Sequence, residues 1–264
     1  KASAGGGGKG IRLVRAPEEI EQAFNTASSE AQQAFGDGRV YMEKYIYPAK
    51  HIEVQLLCDD QGNVVCLGER ECSIQRNNQK LIEESPSPGV SKEKRRELFA
   101  AATKAAKAVG YVNAGTVEFL MDKDKNFYFM EMNTRLQVEH PVSELVTGKD
   151  IVKWQIRIAA GVELDCTQDD IKVRGAAIEC RINAGGVGKV NFLHIPSGPW
   201  VRFDTFLYQG YEVPPFYDSM LGKMIVFSST REEAIRKMQS ALCELVIGGL
   251  PNNIENQIDI IRDP

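Results

Sequence analysis

Between His51 and Leu57 polar and apolar residues alternate, placing His51, Glu53 and Gln55 on one side of an extended chain and Ile52, Val54 and Leu56 on the other. This period of two predicts a strand, and the turn formers from Asp59 to Asn63 would lead into an antiparallel partner from Asn63 to Gly68. The pair would have one polar and one apolar face. Arg39 to Ile46 also reads as a strand. A helical period takes over elsewhere. Pro17 to Phe35 predicts a helix with Pro17 in its first turn, ended by Gly36-Asp37-Gly38. Ser91 to Val109 predicts a second, capped by Ser91, stopped by Gly110, with Leu98, Ala102, Ala105 and Val109 as its apolar stripe. A third runs from Ile151 to Ala160 and ends at Gly161.

Ala114 to Met121 and Phe127 to Met132 are β-rich runs separated at hairpin spacing. A turn centred on Asp124-Lys125 would set Glu118 directly opposite Glu131, with both side chains on one face. Like charges so placed repel unless a cation lies between them, and a slip of one residue would send them to opposite faces. From Val173 onward, short strands and a helix from Arg231 to roughly Val246 predict a second, more β-rich unit.

Composition narrows the function classes. The 264 residues suffice for a real core, and 43% hydrophobic with 26% charged residues is ordinary for a soluble protein. A net charge of −4 gives no general attraction to nucleic acid or anionic lipid. Cys58, Cys66, Cys72, Cys166, Cys180 and Cys243 form no CxxC pair, which favours reduced thiols in a cytosol-like compartment. Three scattered histidines argue against a histidine-built zinc site. There is no long apolar run or signal peptide, and the abrupt opening on a glycine loop suggests a fragment.

The densest chemistry lies from Glu131 to Pro141. Glu131 and Asn133 are two apart on an extended chain, which suits oxygen ligands for a hard divalent cation. Arg135 and Glu139 offer an anion clamp and a base. Gly5 to Gly8, flanked by Lys1 and Lys9, would let backbone approach a phosphate, although neither a Rossmann nor a Walker A pattern is satisfied and a mobile chain end is the competing reading. Three further stretches stay open between function and plain solvation. These are the His51-Glu53-Gln55 face, the cluster from Gln75 to Lys80 with Glu83-Glu84, and Glu179-Arg181-Asn183 on one strand face, where a structural ion pair serves as well.

Taken together, the run Lys1 to Gly10, Met42-Glu43-Lys44-Tyr45, His51 to Gln55, Gly115 to Phe119, Glu131 to Pro141, Glu179 to Ala184 and Tyr217 to Met220 resemble biotin carboxylase, an ATP-grasp enzyme, over nearly the whole chain. The resemblance implies an α+β ATP-grasp fold: a partial lid at 1–45, a large mixed lobe at 46–172 and a biotin carboxylase C-terminal unit at 173–264. It implies that Lys1 and the amides of Gly7 and Gly8 hold ATP phosphates, that Glu43, Lys44 and Ile46 line the adenine, and that His51 and Gln75 contact the ribose side. Asn78 stands where many members carry a nucleotide-contacting histidine. Glu118, Glu131 and Asn133 would bind magnesium or manganese, and bicarbonate would lie against Lys80, Arg135, Gln137 and Val138, with Glu139 as its base. Arg135 and Arg181 would steady the anionic intermediates on the way from carboxyphosphate to carboxylated biotin.

The implied setting is cytoplasmic: the biotin carboxylase component of an acetyl-CoA or propionyl-CoA carboxylase serving fatty acid biosynthesis. A biotin carboxyl carrier protein and a carboxyltransferase would be partners, the parent would be a homodimer, and neither nucleic acid nor membrane would be bound. Gly185 to Gly188 replaces a longer acidic, proline-rich segment of the family, and the family's N-terminal domain is missing, so activity of the chain by itself is in question. The competing expectations are another ATP-grasp ligase of the carbamoyl-phosphate synthetase kind, which biotin-dependent ATP hydrolysis would separate, and a non-catalytic nucleotide-binding or subunit-contact piece.

Overall fold

A computed structural model describes residues 1–4 and 9–263. The glycines 5–8, where phosphate contacts were expected, lie outside the described residues. A 3-10 turn at Pro17–Glu19 leads into helix α1 (Ile20–Phe35), which ends at Gly36 in the left-handed conformation. Then come strands β1 (Ala49–Cys58), β2 (Val64–Arg76) and β3 (Gln79–Ser85), helix α2 (Lys92–Ala108), the hairpin β4 (Asn113–Asp122) and β5 (Phe127–Asn133), and helices α3 (His140–Thr147) and α4 (Ile151–Ala159). The remainder holds β6 (Ala176–Asn183), β7 (Gly188–Lys189), β8 (Phe192–His194), β9 (Val201–Thr205), β10 (Glu212–Val213), β11 (Met220–Ser228), α5 (Arg231–Glu244), β12 (Val246–Gly248) and α6 (Ile254–Arg262). No helix among the described residues is long and apolar enough to cross a membrane.

One eight-stranded sheet in the order β5-β4-β1-β2-β3-β6-β11-β9 organises the protein. Because β3 pairs with β6, the sheet runs without a break from the hairpin strands into the C-terminal β-rich unit. On one face, Ile52, Val54 and Leu56 of β1 pack with Val117, Phe119 and Met121 of β4 against Leu98, Ala102 and Ala106 of α2. The α2 stripe therefore follows the i, i+4, i+8 row and not Ala105 and Val109: Val109 is 69% exposed. Another apolar cluster joins Leu57, Val65 and Leu67 to Ile151, Trp154 and Ile158 of α4, and α5 covers the far end of the sheet.

Three expectations need correction. Arg39 to Ile46 is not a strand: only Val40 bridges, to Ala2, and the segment's backbone–backbone hydrogen bonds among the described residues are those with Lys1 and Ser3. The β2 strand does not stop at Gly68. That glycine has φ +82° in an irregularity of the β1–β2 ladder between Val54 and Leu56, and β2 continues to Arg76. Gln75 to Lys80 is accordingly no open loop. Asn77 and Asn78 both take positive φ, 54° and 61°, in the two-residue turn joining β2 to β3, the conformation a tight hairpin demands.

Candidate active site

The polar face of β1 is buried, not solvated: Glu53 and Gln55 have no exposed surface. What buries them is Arg70 on β2, itself 0% exposed, whose guanidinium donates to Glu53 Oε1 (2.5 Å), Gln55 Oε1 (2.7 Å), Ser143 Oγ (2.9 Å), Thr116 Oγ1 (3.2 Å) and Gln137 Oε1 (2.9 Å). A dry guanidinium is tolerable only when its donors are taken up, and here strands β1 and β4, helix α3 and the loop after β5 all contribute acceptors. Burial works to raise the Glu53 carboxyl, but the charges of Arg70 and Lys80 overcome it and hold the group at about 2.

Lys80 sits beside this hub. Its ammonium donates to Glu53 Oε2 (2.5 Å), Glu118 Oε1 (3.1 Å) and Glu139 Oε1 (2.6 Å). Arg181, from β6, donates through Nη2 to the other oxygen of Glu139 (2.9 Å) and through Nε to Glu83 Oε1 (2.6 Å). Glu139 is thus gripped by two cations from separate strands. Burial lowers the tendency of Lys80 and Arg181 to carry charge, yet the surrounding carboxylates more than compensate and raise both above their ordinary values. Helix α3 begins one residue after Glu139, with Pro141 in its first turn and Gly148 left-handed at its end, and this seats Glu139 at the helix entry.

The expected register of the hairpin is present, reached by another route. Phe119 pairs with Phe129, Leu120 with Tyr128 and Met121 with Phe127, which centres the turn on Asp124. An irregularity between Glu118 and Phe119 then adds one residue on β5 and brings Glu131, rather than Met130, opposite Glu118. Glu118 Oε1 also accepts from Asn133 Nδ2 (3.0 Å) and Gln137 Nε2 (2.8 Å). His51 Nε2 lies 3.0 Å from Glu118 Oε2, and Gln75 Nε2 is 3.0 Å from His51 Nδ1. Burial alone would raise the Glu118 carboxyl; the close imidazole of His51 and the charge of Lys80 bring it well below the carboxylate range. Glu118, Glu131 and Asn133 all carry side-chain oxygens, with the two carboxylates at facing positions, a chemistry that suits a hard divalent cation; Asn133 turns Nδ2 to Glu118 and Oδ1 toward Arg135.

None of Lys1, Glu43, Lys44, Ile46, Asn78, Arg135 and Val138 is buried. Arg135 is exposed, with Nη2 3.4 Å from Asn133 Oδ1 and Nη1 3.3 Å from Leu136 O. Lys1 Nζ lies 3.5 Å from Glu131 and 3.8 Å from Glu43, joining the first residue to the hairpin. Lys44 is exposed, Ile46 half-buried, and Asn78 exposed at its turn. The carbonyl of Val138 accepts from Lys223 Nζ of β11. Arg70, Ser143 and Lys223 went unread in the sequence. Arg70 was findable, since Glu69-Arg70-Glu71 in an otherwise apolar strand signals buried pairing, but only once β2 is extended past Gly68.

Residues 1–167 match the sequence profile of the carbamoyl-phosphate synthase L chain ATP-binding domain, and residues 179–264 match the biotin carboxylase C-terminal domain. The chain is 51% identical to a biotin carboxylase of Nostoc, with 100% of this chain and 61% of that protein covered. It is 50% identical to a biotin carboxylase of Haemophilus influenzae, with 100% of this chain and 60% of that protein covered. Among solved structures, it superposes with a TM-score of 0.98 on the biotin carboxylase domain dimer of Hydrogenobacter thermophilus 2-oxoglutarate carboxylase, described with MgADP, ADP and bicarbonate, at 49% identity and over 60% of that chain. A Campylobacter jejuni biotin carboxylase in complex with a β,γ-ATP ligand gives 0.97 at 49% identity, again with 60% of that chain covered. The chain spans about 60% of the length of the curated relatives it matches. With an ATP-binding domain and a biotin carboxylase C-terminal domain in sequence on one continuous sheet, the chain belongs to the biotin carboxylase family of ATP-grasp proteins.

Proposed function

We propose that this chain carries the phosphoryl-transfer and bicarbonate-activating centre of an ATP-dependent biotin carboxylase. The observation that supports this most directly is Glu139, with one oxygen held by Lys80 and the other by Arg181. Bicarbonate fits against Lys80, Arg135, Gln137 and the Val138 backbone, where a planar guanidinium can pair with two of its oxygens. Glu139 takes its proton. The freed oxygen attacks the γ-phosphorus of ATP, the bond to ADP breaks, and carboxyphosphate forms; it splits to CO₂ and phosphate, the phosphate takes the N1′ proton of biotin, and N1′ bonds the CO₂. Arg135 and Arg181 offset negative charge throughout, and fixed cations of this kind are most of what phosphoryl transfer requires of a protein.

Glu118, Glu131 and Asn133 would hold magnesium or manganese, which when bound neutralises phosphate oxygens. Lys1, Gly7 and Gly8 serve the phosphates, Glu43, Lys44 and Ile46 the adenine, and His51, Gln75 and Asn78 the ribose side. Biotin arrives on a carrier protein, the product passes to a carboxyltransferase, and the working enzyme is a cytoplasmic homodimer. The test is ADP release. In the full-length parent, wild type should release ADP in response to bicarbonate and free biotin, and Arg135→Ala should abolish the bicarbonate response; retention of that response in the variant would remove Arg135 from the mechanism.

A further inference from the structure

Beyond the residues that meet substrate lies a second carboxylate pair. Glu83 on β3 and Glu179 on β6 are directly opposite in the antiparallel ladder, and neither has any exposed surface. Side chains so placed have Cβ atoms about 5 Å apart. Glu83 Oε1 accepts from Arg181 Nε, but Glu83 Oε2 and both oxygens of Glu179 find no hydrogen-bond donor among the described residues. Lys223 Nζ comes only to 3.5 Å from Glu179 Oε2 and spends a hydrogen bond on the Val138 carbonyl.

The charged and titratable groups around the pair come from every element packed on it. They are Lys80 on β3, Arg181 and Cys180 on β6, Lys223 on β11, Arg202 on β9, Cys72 on β2 and Glu139 at the entry to α3. Lys80 is already shared by Glu53, Glu118 and Glu139, and Arg181 by Glu83 and Glu139. Two ionised carboxylates, side by side and dry, with three of four oxygens lacking donors, would carry a desolvation and repulsion cost that these cations leave unbalanced. One proton placed between them removes a charge and supplies the missing donor as an O–H···O⁻ bond.

We propose that Glu83 and Glu179 share a single proton at neutral pH and act as positioning residues for Arg181. With one negative charge on the pair instead of two, Arg181 is aimed through Nε by Glu83 and keeps Nη2 on Glu139. Loss of the proton adds a full negative charge behind the guanidinium and pulls it toward β3. Burial, outweighing the attraction of Arg181, raises the Glu83 carboxyl to about 7, and burial carries Glu179 well above its ordinary value, which agrees with a proton held there. The consequence for catalysis rests on the proposed role of Arg181; the shared proton itself does not.

Infrared spectroscopy of the folded chain provides the test, because a protonated carboxyl has a C=O stretch that ionised groups lack. Wild type at pH 7 should show a carboxyl band that shifts in D₂O; Glu179→Gln should weaken and displace it, since Glu83 then has no carboxylate to share its proton with, and Glu83→Gln/Glu179→Gln should remove it. Absence of the band in wild type, or its survival unchanged in Glu179→Gln, would overturn the proposal. The positioning role is read on the ¹⁵Nε signal of Arg181, identified by its loss in Arg181→Lys. That signal should titrate together with the infrared band in wild type and stay flat in Glu83→Gln/Glu179→Gln; a signal that never moves with the band leaves Arg181 unaimed by the pair and refutes the role. Neither readout uses turnover, so a band without ADP release would count against the proposed function alone, and ADP release without a band against the shared proton alone.

Discussion

Two pairs of glutamates face each other across neighbouring antiparallel strands, Glu118 with Glu131 and Glu83 with Glu179, and they meet the same like-charge problem in opposite surroundings. The first pair stands at the rim. Lys80, Asn133 and Gln137 donate to Glu118, Lys1 reaches Glu131, and the Glu131 side chain is 43% exposed, so the pair has donors and solvent around it. The second pair is sealed beneath Arg181 and is short of donors. Identical register therefore yields a ligand set where donors and solvent are available and a proton trap where they are not. The difference lies in what the neighbouring strands bring.

The largest expected effect comes from removing the cation that keeps the inner network balanced. Arg70→Met should cost about 3–5 kcal/mol in urea unfolding, because Glu53 would be left buried with Lys80 alone. A loss under about 1 kcal/mol would mean the hub is not what orders the rim. Next in size, Glu131→Gln should weaken magnesium-supported ATP binding by roughly tenfold, about 1.4 kcal/mol, while leaving magnesium-free binding in place. Calorimetry with and without magnesium would show it, and an unchanged magnesium dependence would take Glu131 out of the ligand set.

Opposite pH responses should distinguish the inner carboxylates. Glu53, held at about 2, contributes stability that is present above its unfolded value of 4.5 and lost as pH falls toward 2. Glu83, raised to about 7, contributes stability that is complete below 4.5 and lost as pH climbs through 7. From pH 4.5 to 8 the urea midpoint of wild type, taken relative to that of Glu83→Gln, should therefore fall; parallel curves would contradict the raised carboxyl. The smallest effect is expected at the surface. Val109→Ala should change stability by no more than about 0.5 kcal/mol, since Val109 lies off the buried α2 row, and a loss near 1 kcal/mol by thermal melting would restore it to the core.

Much of the architecture was legible along the chain. The Ser91 cap, Gly110 and Gly36 bounded α2 and α1, and alternation marked β1. Local rules fell short where irregular backbone intervened. Gly68 looked like the end of a strand but accommodates a break in the ladder, and stopping there hid Arg70. On β5, an extra residue restored the Glu118–Glu131 pairing that a regular hairpin with its turn at Asp124 would have lost. Arg39 to Ile46 had the composition of a strand and, among the described residues, no strand to pair with.

By itself the sequence determined which side chains could share a face and which chemistry they could support, because strand and helix periods are local properties of the backbone. It carried Glu118, Glu131, Asn133, Arg135, Glu139 and Arg181 as candidates for metal and anion work. Tertiary structure alone decided that the polar face of β1 is buried, that Arg70 is its hub and that Glu83 meets Glu179. The last depends on β3 pairing with β6, a contact between residues nearly a hundred positions apart, and the first two on α3 and the loop after β5 bringing Ser143 and Gln137 onto Arg70. No local period encodes either.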